Sequence, residues 1–245
     1  MPPLRGLGRD PMLLILTYAA GNVDAVSYLG LGQVFTAMMT GNTVLLGLAL
    51  AQGEIVAAMR SILALSGFAA GVVAGAVIVE RDTEKAEWPA SVTGAFAAEA
   101  LVLAVFALLW LVAGKESLLH LHILLLSVAM GIQAAAVRRL GVPGIATTYI
   151  TGTITTLFVD LVGWIQAVAG RLRANLLGSP AALAAGPWEQ RVGLLFGVFG
   201  FYCLGAMVGG VLQTRWPALA AISPLLAVVA VVLGARRRYA PGRAH

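Results

Sequence analysis

Asp24 is the first residue of this sequence whose type invites a chemical role, because its carboxylate stands inside the apolar run 12–31. A charged side chain at the centre of a membrane-spanning helix costs roughly 2.5–3.5 kcal/mol on insertion scales unless it faces a polar interior. Two readings follow. Asp24 is a protonatable group or cation ligand, or it is held by Asn22, Asn42 or Thr40 and only fixes helix packing. Thr40, Gly41, Asn42 and Thr43 form a second polar group, and Thr151, Gly152 and Thr153 a third. Hydroxyls, an amide and bare glycine backbone suit a solute path, and they equally suit close helix packing with interhelical hydrogen bonds. Gln133 offers the same choice. Glu99 and Asp160 are secondary candidates, each lacking a charged neighbour at helical spacing.

Other chemistry is thinly represented. His120 and His122 are two residues apart, so on one helix they point about 200° apart and cannot hold a single metal ion together; they read as residues of the membrane interface. Cys203 is the only cysteine, which leaves no internal disulfide. No set of nucleophile, base and orienting residue converges, and no Gly-rich loop ending in Lys-Ser or Lys-Thr is present. The expectation is therefore no enzyme, no cofactor, no metal and no ATP coupling.

The elements that must position these residues are membrane helices. Of the 245 residues, 60% are hydrophobic and 11% charged, and the mean hydropathy is +0.91; soluble domains carry roughly 25% charged residues. A helix needs about 20 apolar residues to span the hydrocarbon layer with its backbone bonded internally. Eight stretches approach that length: 12–31, 34–52, 56–79, 92–113, 118–137, 145–169, 192–212 and 219–235. The first two are separated only by Gly32 and Gln33, so they are expected side by side and antiparallel, and six crossings result if that pair is a re-entrant hairpin. The first run exceeds the core of a signal peptide and reads as a retained helix.

The net charge of +5 does not point to nucleic acid, because the basic residues flank apolar runs instead of clustering on a folded domain. With eight crossings and a cytoplasmic N-terminus, eleven of the 16 Lys and Arg residues lie inside, and Arg138 and Arg139 fall on the wrong side. Both termini are expected in the cytoplasm. Trp88, Trp188 and Trp216 at segment ends suit an aromatic belt. Arg236, Arg237 and Arg238 read as a stop signal or an anionic-lipid contact.

The chain also matches itself. Gly21 to Ala25 answers to Gly131 to Ala135, and Thr40-Gly41-Asn42-Thr43 to Thr151-Gly152-Thr153-Ile154. Gly71 and Gly75 answer to Gly205 and Gly209, and Trp88-Pro89-Ala90 to Trp216-Pro217-Ala218. The expected organisation is a cytoplasmic tail at 1–11, tandem repeats at 12–113 and 118–235, and a basic cytoplasmic tail at 236–245. Four crossings per repeat would make the repeats parallel, and three would invert them. The faces carrying Gly67, Gly71, Gly75, Gly205 and Gly209 suit helix packing, within the chain or in a homo-oligomer.

The residues Gly21, Asp24 and Ala25, the run from Val34-Phe35 to Thr43, and the stretch from Gly131 and Gln133 through Arg138-Arg139 to Thr151-Gly152 resemble the YoaK family. The resemblance spans nearly the whole chain and implies a bacterial multi-spanning inner-membrane protein, without an established substrate. Ala134 stands where an amide would make a symmetric polar pair with Gln133. Taken together, the expectation is an all-α polytopic bundle that carries a small solute or ion, with Asp24, Asn22, Thr40 to Thr43, Gln133 and Thr151 to Thr153 along the path. The alternative is a non-catalytic membrane scaffold or partner-binding subunit.

Overall fold

The computed structural model describes residues 8–80, 86–142, 147–148, 150–176 and 188–239. Eight helices follow one another: α1 Arg9–Gly30, α2 Met39–Gln52, α3 Ile55–Val79, α4 Ala90–Ser117, α5 Leu119–Arg139, α6 Ile150–Leu176, α7 Trp188–Arg215 and α8 Pro217–Arg238. They sit on the eight apolar runs, with breakers where helices should stop. Gly53 ends α2 in the left-handed conformation (φ 71°), and Pro217 opens α8 where its missing N–H costs nothing. Arg5, Arg81, Lys85, Arg243, Ile145 and Tyr149, most of both tails, and the side chain of Trp188 lie outside the described residues.

Seven helices are long and apolar enough to cross a membrane, and α2 is not. Its 14 residues reach about 21 Å, short of the roughly 30 Å hydrocarbon layer. Contacts among helix ends set the crossing count. Arg60, in the second turn of α3, donates from Nη1 to the carbonyl of Gly32 just beyond α1 (3.3 Å). A Cβ at Gly30 would touch both Trp110 near the end of α4 and Gln213 near the end of α7. The end of α1 and the start of α3 therefore share one membrane face, and α2 returns to the face it left. At the opposite face Arg9 meets Glu87 (4.0 Å), and Trp88 before α4 stacks on Tyr239 after α8 (5.8 Å).

Parity then fixes α6. For α8 to end on the face where α1 begins, α6 must also enter and leave on one face, although it is long enough to cross. Of the two expected counts, eight and six, the helix-end contacts select six: α1, α3, α4, α5, α7 and α8. The wrongly placed Arg138 and Arg139 are resolved as well. Counted by the connection each belongs to in sequence, thirteen of the 16 Lys and Arg residues now share the face of the N-terminus, leaving Arg60, Lys115 and Arg215 opposite.

The helices interlock through glycines. The most extensive packing joins α1 to α7 and α3 to α5, each pair running parallel. A Cβ at Gly21 would collide with the carbonyl of Tyr202, and one at Gly205 with the carbonyl of Tyr18. In the other pair a Cβ at Gly131 would collide with the carbonyl of Phe68, and one at Gly71 with the carbonyl of Val128. Gly75 and Gly209 are also closely packed, against Ala135 and Ile132 and against Asn22. The expected glycine faces are thus filled from within the chain and are not free for a second copy. Apolar side chains such as Val73, Leu101, Val112 and Val159 face outward, as lipid contact requires.

The helix ends correct two smaller expectations. Trp88 is buried, donating from Nε1 to Thr93 Oγ1 (2.9 Å), whereas Trp216 is exposed as a belt residue should be. His122 is enclosed between the rings of Phe106 and Trp110 instead of lying at the interface.

Candidate functional site

The site begins where the chain leaves α1. Gly32 and Gln33 both adopt positive φ (82° and 62°), and Phe35 stacks on Tyr28 (4.9 Å). This turn folds the next residues back along α1 until they reach Asp24. One oxygen of that carboxylate, Oδ1, accepts from three successive backbone N–H groups, those of Thr36 (3.0 Å), Ala37 (2.7 Å) and Met38 (3.3 Å). Successive N–H groups converging on one point form a nest for negative charge. The other oxygen, Oδ2, accepts from the hydroxyl of Tyr202 on α7 (2.5 Å). Every partner is a donor, which fits an ionised, acceptor-only carboxylate. Asp24 is 4% exposed, so these four bonds carry the compensation that its position demands.

Asp24 therefore lies inside the bundle and at the depth where α2 begins. Its partners differ from the expected side chains of Asn22, Asn42 and Thr40. Asn42 instead braces the turn, accepting from Phe35 N (3.0 Å) and donating to Phe35 O (2.6 Å). Asn22 accepts from Ser223 on α8 (2.9 Å). An antiparallel α1 and α2 is also corrected, because α2 starts beside Asp24 and ends at the same face as α1.

The second half holds its own turn differently. Gln133 is fully buried and donates from Nε2 to Thr147 Oγ1 (2.9 Å) and to the carbonyl of Leu16 (3.2 Å). It thus ties α5 to the segment before α6 and to α1. By the sequence offsets, Thr147 corresponds to Thr36, Phe68 to Tyr202 and Ala134 to Asp24. The carboxylate–phenol pair of one interface is an alanine and a phenylalanine in the other.

Between the two turns lies a cavity of about 450 Å³. The first turn of α2, Met39 to Gly41, lines it from one side, and Thr148, Ile150 and Thr151 line it from the other. Phe68 and Tyr202 complete corresponding parts of its wall. No side chain of the N-cap residue caps the first turn of α2. Of the expected path residues, Thr40, Gly41 and Thr151 line this cavity. Asp24 lies one hydrogen bond behind it, through Tyr202. Gln133 and Thr153 are buried, Gly152 follows Thr151, and Thr43 is exposed with its hydroxyl on the carbonyl of Met39 (3.0 Å).

The secondary candidates are not brought to the site. Asp160 pairs with Arg191 of α7 (2.9 Å), a partner from another helix that spacing along one helix cannot show. Glu99 is fully buried on α4, and neither carboxylate oxygen has a hydrogen-bond partner among the described residues. No described group of three or more His, Cys, Asp or Glu residues is placed to hold a metal ion. Sequence reasoning missed Tyr202 and Thr147. The signal for Tyr202 was a hydroxyl gained at the position where the other half has Phe68.

A family model described as "Protein of unknown function (DUF1275)" matches residues 12–235. The chain is also 44% identical over 155 residues, covering 63% of itself and 68% of the relative, to the UPF0700 transmembrane protein YoaK of Bacillus subtilis (strain 168). No solved structure matches. The resemblance read from the Gly-x-x-Asp-Ala and Thr-Gly-Asn-Thr segments is thereby borne out, and this multi-pass membrane protein belongs to the DUF1275 family.

Proposed function

We propose that this protein moves a small solute or ion across the bacterial cell membrane through the cavity between the first turns of α2 and α6. The observation that carries the reading is the cavity's composition, in which Thr40 and Thr151, and Phe68 and Tyr202, are corresponding residues of the two halves. Three crossings and one re-entrant helix per half make the halves inverted repeats. Bundles of that kind place solute sites near the midplane, where broken helices end. The face bearing thirteen of the 16 Lys and Arg residues is the cytoplasmic one by the positive-inside rule, which puts both termini inside. Three hydroxyls from threonine and one from tyrosine can orient a polar solute, while Met38, Met39 and Phe68 wrap its apolar part. The reading is of a carrier or channel, not an enzyme.

The experiment is thiol accessibility in sealed vesicles. In a Cys203→Ser background, Thr40→Cys and Thr151→Cys are labelled with a membrane-impermeant methanethiosulfonate from one side at a time. Labelling of both positions from the same single side is expected of a carrier at rest, and from both sides of a channel. Protection of both positions from both sides refutes the reading and favours a scaffold.

A further inference from the structure

Arg60 is the cation that the topology leaves unexplained. It sits on the face from which Lys and Arg are depleted, yet it is half-buried in the second turn of α3. Its Nη1 donates to the carbonyl of Gly32 at a long 3.3 Å, and its Nε is buried with no acceptor among the described residues. A buried donor without a partner forfeits its hydration with nothing in return, so an acceptor belongs there. Arg60 also borders a cavity of about 570 Å³ enclosed by the end of α1, the second half of α2 and the start of α3. Polar groups at Gln33, Ser61 and Tyr28 share that cavity with the apolar walls Val34, Leu45 and Leu48. It is separate from the cavity between the repeats and has only Glu54, an exposed residue, as an acid in its lining.

We propose that this cavity is a binding site for an anionic phospholipid of the outer leaflet, with the phosphate on Arg60 and an acyl chain along Leu45 and Leu48. Three observations select this occupant. The guanidinium is planar and presents a fork of donors that matches phosphate oxygens. The site lies about 8 Å below the start of α3, at 1.5 Å per residue, which is headgroup depth. The apolar wall continues into exposed Leu29 (52%) and Leu48 (51%), so it opens to the bilayer and not only to water. Basic pockets between membrane helices hold anionic headgroups elsewhere by the same chemistry.

The test compares thermal stability of the full chain in nanodiscs of phosphatidylcholine alone and with phosphatidylglycerol. The quantity read is the gain in Tm between the two lipids, so a capping role of Arg60 on Gly32, which acts equally in both, drops out. Wild type should gain, Arg60→Gln should lose the gain, and Arg215→Gln, a cation of the same face outside the cavity, should keep it. Native mass spectrometry should show phosphatidylglycerol retained roughly fivefold less by Arg60→Gln, the effect of one basic residue at an anionic surface. An equal gain in Arg60→Gln, or no gain in wild type, overturns the proposal. So does inorganic phosphate raising Tm in pure phosphatidylcholine discs by as much as phosphatidylglycerol does, which would make the occupant a soluble anion.

Discussion

A double-mutant cycle between Asp24 and Tyr202 isolates the bond that distinguishes the two interfaces. Tyr202→Phe recreates the Phe68 side chain of the other half and removes the hydroxyl that donates to Asp24 Oδ2. Losing a hydrogen bond to a charged group costs about 1.5–3 kcal/mol, although measured values inside membranes peak near 1.7 kcal/mol. A loss of roughly 1.5 kcal/mol is expected. Asp24→Ala strands the N–H groups of Thr36, Ala37 and Met38, at about 1–2 kcal/mol each. It also relieves roughly 3 kcal/mol of carboxylate insertion cost, so its net loss is about 0–3 kcal/mol. With Asp24 gone, Tyr202→Phe has nothing left to break, and the double variant should cost no more than Asp24→Ala alone. The coupling energy is therefore expected at about 1–1.5 kcal/mol. Equilibrium unfolding by sodium dodecyl sulfate in mixed micelles measures all four proteins. Coupling below about 0.4 kcal/mol, the usual scatter of additivity, would show that the bond is not held in the membrane and would refute the account of how Asp24 is satisfied.

Two further expectations follow from the packing and the topology. Gly205→Ala and Gly71→Ala drive a methyl into a neighbouring carbonyl and should destabilise by about 1–3 kcal/mol. Gly200→Ala, where a Cβ meets nothing within 4 Å, should stabilise by roughly 0.5–1 kcal/mol; the same unfolding assay giving one sign for all three would discard the interlocked-glycine account. An alkaline phosphatase reporter fused after Gly53 should be active outside the cell, because α2 returns to the face it left. An inactive fusion there, with one after Tyr239 also inactive, would restore eight crossings.

Sequence alone determined the class of molecule and much of its layout. Composition excludes a soluble fold, and runs of about 20 apolar residues specify helices because unpaired backbone is intolerable in lipid. Self-similarity picked out Gly21, Gly71, Gly131 and Gly205, and the structure uses those four at its two tightest crossings. The cost of an unpaired carboxylate placed Asp24 inside the bundle. What tertiary structure alone decided is which groups meet. Hydropathy measures how apolar a segment is, not where its ends lie, so α6 has the composition of a crossing while its neighbours' end contacts show that it returns. Likewise nothing local could name Tyr202 as the partner of Asp24 or Arg191 as that of Asp160. Those pairings arise because α1 packs on α7 across five intervening helices, and α6 on the neighbouring α7, and packing between helices leaves no period in the chain to read.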